Sequence, residues 1–135
     1  SGYEAEAKLK LGESVRWSFS YTRLFPVDEV THARIVNPAA PIPAKQAGST
    51  LLIALDETTI LGLDGRWVSN YVKDGDPKWE YYTLDGKITD TLFVRKDARA
   101  EVFIGVKNIF DRKYEVSKGY PMPPKETYGG ITVYF

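Results

Sequence analysis

Few side chains in this sequence are placed to do chemistry. Its one histidine, His32, follows Asp28 and Glu29 closely enough for the three to share a loop. That spacing makes a poor metal site, and a solvated loop histidine is the simpler reading. There is no cysteine, hence no thiolate ligand pair and no disulfide framework, and the redox compartment stays open. No serine, histidine and carboxylate grouping stands out, and no glycine-rich loop opens a helix where phosphates would sit. Leu-Asp-Gly occurs at Leu63–Gly65 and again at Leu84–Gly86, each inside an extended stretch, which makes phosphate binding a poor fit. What remains is charge. Glu4, Glu6, Lys8, Lys10, Arg16, Asp64, Arg66, Asp85 and Lys87 fall at alternate positions within their segments, so each set shares one face of a strand. They could line a polar path, or form a cross-strand ladder of charges that holds register, and the ladder is the plainer choice. No catalytic residue, metal or cofactor is expected, and the chain reads as a non-enzyme.

These rows need strands beneath them. The 135 residues are 43% hydrophobic and 27% charged, enough for one folded domain and against wholesale disorder. Eighteen basic residues balance 18 acidic ones, so no overall field points to nucleic acid, and none is expected as a partner. No apolar run approaches the roughly 20 residues of a spanning helix, and residues 1–135 hold no signal-peptide pattern, as expected of either a mature protein or an excised piece. Read in steps of two, the chain alternates. Tyr3, Ala5, Ala7, Leu9 and Leu11 oppose the first charged row, and Val15, Trp17, Phe19 and Tyr21 oppose a wholly polar one. Further apolar sets follow: Leu51, Ile53 and Leu55; Leu61, Leu63, Trp67 and Tyr71; Leu84, Gly86 and Ile88, with alternation weakening after Asp90; then Val102, Ile104 and Val106. The last is Ile131, Val133 and Phe135, and no segment has a helical period.

Short connections alternate with long ones. Leu11–Ser14, Asp56–Thr59 and Arg95–Ala98 are hairpin turns, whereas Leu24–Ala47, Val72–Lys78 and Phe110–Glu126 are long and hold all eight prolines. In a meander, alternate connections share one end, so the tight turns gather at one end and the long loops at the other. The strands are expected to be free of proline. The fold class is therefore all-β, an antiparallel up-and-down meander of about seven strands. One tight end, one elaborate end and strands near the roughly 9 to 11 residues that cross a bilayer make it read as part of a transmembrane β-barrel. Trp17, Tyr21, Trp67, Tyr71, Trp79 and Tyr81 lie toward the long-loop ends, where an aromatic girdle would sit.

The run Val102–Phe135 resembles the C-terminal end of TonB-dependent outer-membrane receptors. Asn108, Ile109, Phe110, Asp111, Arg112, Lys113 and Tyr114 follow the order in which the family's penultimate strand ends, and Gly119 to Pro123 resemble the next loop. Pro124 and Lys125 depart from the family's usual Gly-Arg. Tyr3–Leu24 and Leu61–Tyr71 look like the preceding hairpins, so residues 1–135 as a whole resemble the C-terminal segment of such a barrel. The resemblance implies an outer-membrane receptor of a Gram-negative bacterium that imports iron-siderophore, haem, cobalamin or a similar scarce nutrient with TonB-relayed energy. The family's closed barrel of about 22 strands carries a plug, which is absent from these residues. Counting back from a periplasmic C-terminus through seven strands puts Ser1 on the outer side, so at least one further strand is expected. The implied partners are outer-membrane lipid, the remaining barrel and plug, TonB through that plug, and the barrel-assembly machinery. Gly129, Ile131, Val133 and Phe135 match the family's assembly signal. Ligand contacts would concentrate on the long loops, with Phe25, Asp28, His32, Arg34, Tyr114, Tyr120 and Met122 as candidates. A stand-alone small outer-membrane barrel and a soluble β-barrel binding a hydrophobic ligand stay open beside it.

Overall fold

Alternating side chains of opposite character make a strand the only regular element that can sort them. The computed structural model describes residues 1–25, 30–31, 43–70, 80–95, 98–117 and 119–135, with the side chain of residue 70 excepted. Its strands are β1 (Gly2–Leu11), β2 (Val15–Leu24), β3 (Pro43–Ala54), β4 (Thr59–Asn70), β5 (Glu80–Arg95), β6 (Ala98–Lys107), β7 (Glu115–Ser117), β8 (Tyr120–Pro121) and β9 (Glu126–Tyr134). Seven of them form one antiparallel sheet in the order β1-β2-β3-β4-β5-β6-β9, and β7 and β8 pair separately within the last long connection. Residues 12–14 and 55–58 make tight turns, two residues (96 and 97) separate β5 from β6, and the longer connections cover residues 25–42, 71–79 and 108–125, so short and long alternate as expected. Asp56 closes its turn by accepting the backbone N–H groups of Thr58 and Thr59, each at 2.8 Å. Those bonds hold its carboxyl below the usual range.

The register joins the apolar sets into continuous rows. Leu9, Trp17, Leu51, Leu63, Gly86, Val106 and Thr127 lie side by side across all seven strands, and so do Leu11, Val15, Ile53, Leu61, Ile88, Ile104 and Gly129. Toward the long loops come Ala7, Phe19, Ser49, Gly65 and Leu84, then Ala5, Tyr21, Ala47, Trp67 and Tyr82, then Tyr3, Arg23, Lys45, Ser69 and Glu80. The apolar face thus passes through an aromatic row into a polar one. Tyr82, not Tyr81, occupies that row, because neighbours along a strand face opposite ways and Trp67 pairs with Tyr82. Trp17, the third residue of β2, lies toward the tight-turn end and not where a long-loop girdle would place it, while Tyr71 and Trp79 fall outside the described residues.

Two irregularities depart from strict alternation. A bulge between Thr91 and Phe93 inserts Leu92, which is why the pattern weakens after Asp90: Phe93 returns to the apolar face opposite Ala100, and Val94 is turned to the other. Strand β3 begins earlier than expected, at Pro43, and Pro121 lies in β8, so the strands are not free of proline. Pro43 is tolerated as the first residue of its strand, with a register shift directly after it.

Among the described residues no strand of the sheet touches any strand but its lateral neighbours, so the sheet is neither sandwiched nor closed into a barrel. Burial is correspondingly slight, limited among the described residues to Ala44, Val68, Tyr81, Ala100, Gly105 and Asn108. The chain exposes 9752 Å² at a mass of 15.2 kDa, against roughly 7,100 Å² for a compact monomer of that size. The excess is apolar in part: Leu9, Leu11, Ile88, Ile104, Ile131 and Val133 all stand exposed on one face.

Candidate functional site

The connection from β6 to β9 is built around one buried side chain. At Asn108 the backbone turns left-handed, φ 50°, a conformation that asparagine tolerates better than most residues. Its N–H donates to Asp85 Oδ1 at 2.7 Å, and the Ile109 N–H donates to the Leu84 carbonyl at 2.8 Å, so the chain leaves the sheet still bonded to β5. The Asn108 Nδ2 donates to the carbonyls of Arg112 (2.9 Å) and Pro123 (3.4 Å), and Oδ1 accepts the Arg112 N–H at 2.9 Å. Asp111, also at φ 50°, accepts the Lys125 N–H at 2.8 Å. The Asn-Ile-Phe-Asp-Arg run therefore folds the loop before it does anything else. Asn108 and Asp111 tie its start to its end.

On that frame Tyr114 stacks against Tyr81, with ring centroids 4.1 Å apart and planes 27° from parallel. Burial pushes the Tyr114 phenol up, with Tyr81 and Asp85 acting in the same sense and Arg66 against it. The phenol is thus a hydrogen-bond donor at neutral pH. On the other side of β5, Phe110 meets the edge of Tyr82 at 6.0 Å, and the Arg112 guanidinium lies 5.7 Å from that ring. The Met122 N–H donates to the Tyr114 carbonyl at 2.9 Å and closes the β7–β8 hairpin. Arg112, Lys113, Tyr114, Glu115, Pro121, Met122 and Pro124 enclose a pocket of about 340 Å³. With two cationic side chains, a carboxylate, a phenol and an apolar floor, it can hold part of a small ligand by stacking, charge and thioether contact.

Of the expected contact residues, Tyr114 and Met122 line this pocket together. Tyr120 stands exposed on the same hairpin and is not part of the lining. Phe25 is elsewhere: it packs on Tyr3 at 6.1 Å with the Arg23 guanidinium 4.9 Å above its ring. Strands β3, β4 and β5 separate β2 from β6, about 19 Å at ordinary strand spacing. Asp28, His32 and Arg34 lie outside the described residues. Arg112, Lys113, Glu115, Pro121 and Pro124 were not singled out as contacts from the sequence, although the first two stand in the motif that ends β6. Gly129, Ile131 and Val133 share the apolar face of β9, and Phe135 follows it fully exposed.

The opposite face is polar but is not a charge ladder. Among the described residues the one ion pair of its first strand, Lys8 to Glu6 at 3.0 Å, runs along β1 rather than across strands. Across strands, Lys10 faces Arg16 and Asp64 faces Asp85. The two carboxylates are held by other bonds: Thr50 donates its hydroxyl to Asp64 Oδ2 at 2.6 Å, and Asp85 accepts from Asn108. Near the far edge, Phe103 covers Gly130 and Tyr128 covers Gly105, where a Cβ would fall against the rings. The Lys87 and Lys107 ammonium groups lie over these two aromatics, 4.6 and 5.4 Å from the centroids. No family model, curated protein or solved structure matches this chain.

Proposed function

We propose that this chain forms part of the wall of a transmembrane β-barrel in the outer membrane of a Gram-negative bacterium, within a receptor that binds and imports a scarce nutrient. The observation that carries the proposal is the apolar face: rows continuous across seven strands, half-buried by their lateral neighbours in the middle of the sheet and exposed at Leu9, Leu11, Ile88, Ile104, Ile131 and Val133, and bordered by aromatic and then polar residues toward the long loops. Water makes such a face costly, whereas lipid accepts it. The charged face then belongs to a wetted interior. A bilayer offers nothing to unpaired backbone, so the free edges of β1 and β9 require further strands to close the barrel.

Transport rather than catalysis is the activity this supports. The resemblance of Asn108 to Tyr114 to the TonB-dependent receptors favours uptake of iron-siderophore, haem, cobalamin or a similar cargo, energised through TonB and a plug in the barrel. In this reading the Tyr114 and Met122 pocket, at the long-loop end, is where cargo first makes contact. Separation of the source cells into soluble, inner-membrane and outer-membrane fractions, probed with an antibody to the 111–125 loop, tests the proposal. The expected result is a signal in the outer membrane that survives high-salt and carbonate washing. A signal in the soluble fraction would overturn it.

A further inference from the structure

On the polar face near the tight-turn end, Lys10 lies directly opposite Arg16, and Lys8 lies opposite Ser18 one step along. Like charges at directly opposed positions destabilise a strand pair. Lys8 is relieved by Glu6, but among the described residues neither the Lys10 nor the Arg16 side chain has an ion pair or a hydrogen bond. On the same face of β4 and β5, Asp64 accepts from Thr50 and Asp85 from Asn108, and neither carboxylate forms an ion pair with Lys10 or Arg16. The three cations border a concavity of about 290 Å³ together with Ser18, Thr50 and Leu52.

Two cations without an ion-pair partner, Lys10 and Arg16, beside the Ser18 hydroxyl and in a hollow, are the chemistry that holds an oxyanion. A guanidinium fork accommodates two of its oxygens, and ammonium groups neutralise the rest. We propose that this hollow binds the phosphate or carboxylate group of a small soluble solute, with Arg16 and Lys10 as its principal contacts and Lys8 at its margin. The site does not rest on the membrane assignment, because the strand register brings these residues together whether the polar face meets an enclosed lumen or open water.

The test is a titration of inorganic phosphate into the purified full-length protein, followed by ³¹P line broadening. Arg16→Gln and Lys10→Gln are compared with wild type, and Lys45→Gln, a cation of the opposite face, serves as control. Wild type is expected to broaden the signal saturably, each polar-face variant to bind at least about tenfold more weakly, and Lys45→Gln to bind as wild type. Because Arg16→Gln removes a repulsion, its unfolding midpoint should match or exceed that of wild type. Displacement of phosphate by acetate at similar concentration supports a carboxylate ligand, and indifference to acetate a phosphate ester. Absence of saturable broadening with wild type, or unchanged binding by Arg16→Gln, would overturn the site. So would a joint loss of binding and stability in Arg16→Gln, which would make its role structural.

Discussion

At Asn108 a single residue supplies both a left-handed backbone and the three side-chain hydrogen bonds that join residues 108, 112 and 123. Alanine could do neither. Asn108→Ala should therefore cost about 2 to 4 kcal/mol, from left-handed strain and from backbone groups of Arg112 and Pro123 left without partners. Denaturant unfolding of the purified protein measures the loss, and limited proteolysis should show cleavage moving to the 108–125 loop. Asn108→Asp separates the two roles, since it keeps the acceptor for the Arg112 N–H and forfeits both donations. The short motif from Asn108 to Tyr114 is visible in the sequence, but its work is not. That work depends on Pro123 and Lys125, which reach Asn108 and Asp111 only after the loop has folded back.

Strands divide more clearly between what alternation encodes and what it omits. A period of two assigns each side chain to a face, and the expected apolar residues that lie within the paired strands, from Tyr3 to Val133, do share one. Partner identity is a different matter, because a slip of two residues preserves every face and changes every pair. For that reason the facing pairs Lys10 with Arg16 and Asp64 with Asp85 were hidden, and a ladder of opposite charges looked reasonable. Leu92 was hidden for a related reason: a bulge is one residue in a run that reads as uniformly apolar. The two faces can be told apart by substitution. Leu63→Arg, mid-strand on the apolar face of β4, should cost about 2 to 4 kcal/mol in a bilayer. Thr89→Lys on the polar face of β5 should cost less than about 1 kcal/mol. Reversible unfolding from vesicles measures both, and equal costs would mean that the faces do not differ in their surroundings.

For the molecule as a whole, the decisive features are a seven-stranded sheet with no second layer packed on it, few buried side chains and an apolar surface with nothing over it among the described residues. A membrane and further strands at the edges of β1 and β9 would together resolve all three. The chain's lack of cysteine makes its exposure readable one position at a time. Ile88 and Thr89 are adjacent in β5, one on each face. The first measurement is maleimide labelling of Ile88→Cys and Thr89→Cys in intact native membranes, once with a water-soluble reagent and once with a lipid-soluble one. A lipid-facing apolar surface predicts that Ile88→Cys reacts with the lipid-soluble reagent and resists the water-soluble one, while Thr89→Cys shows the reverse preference. Ready labelling of Ile88→Cys from water would contradict it.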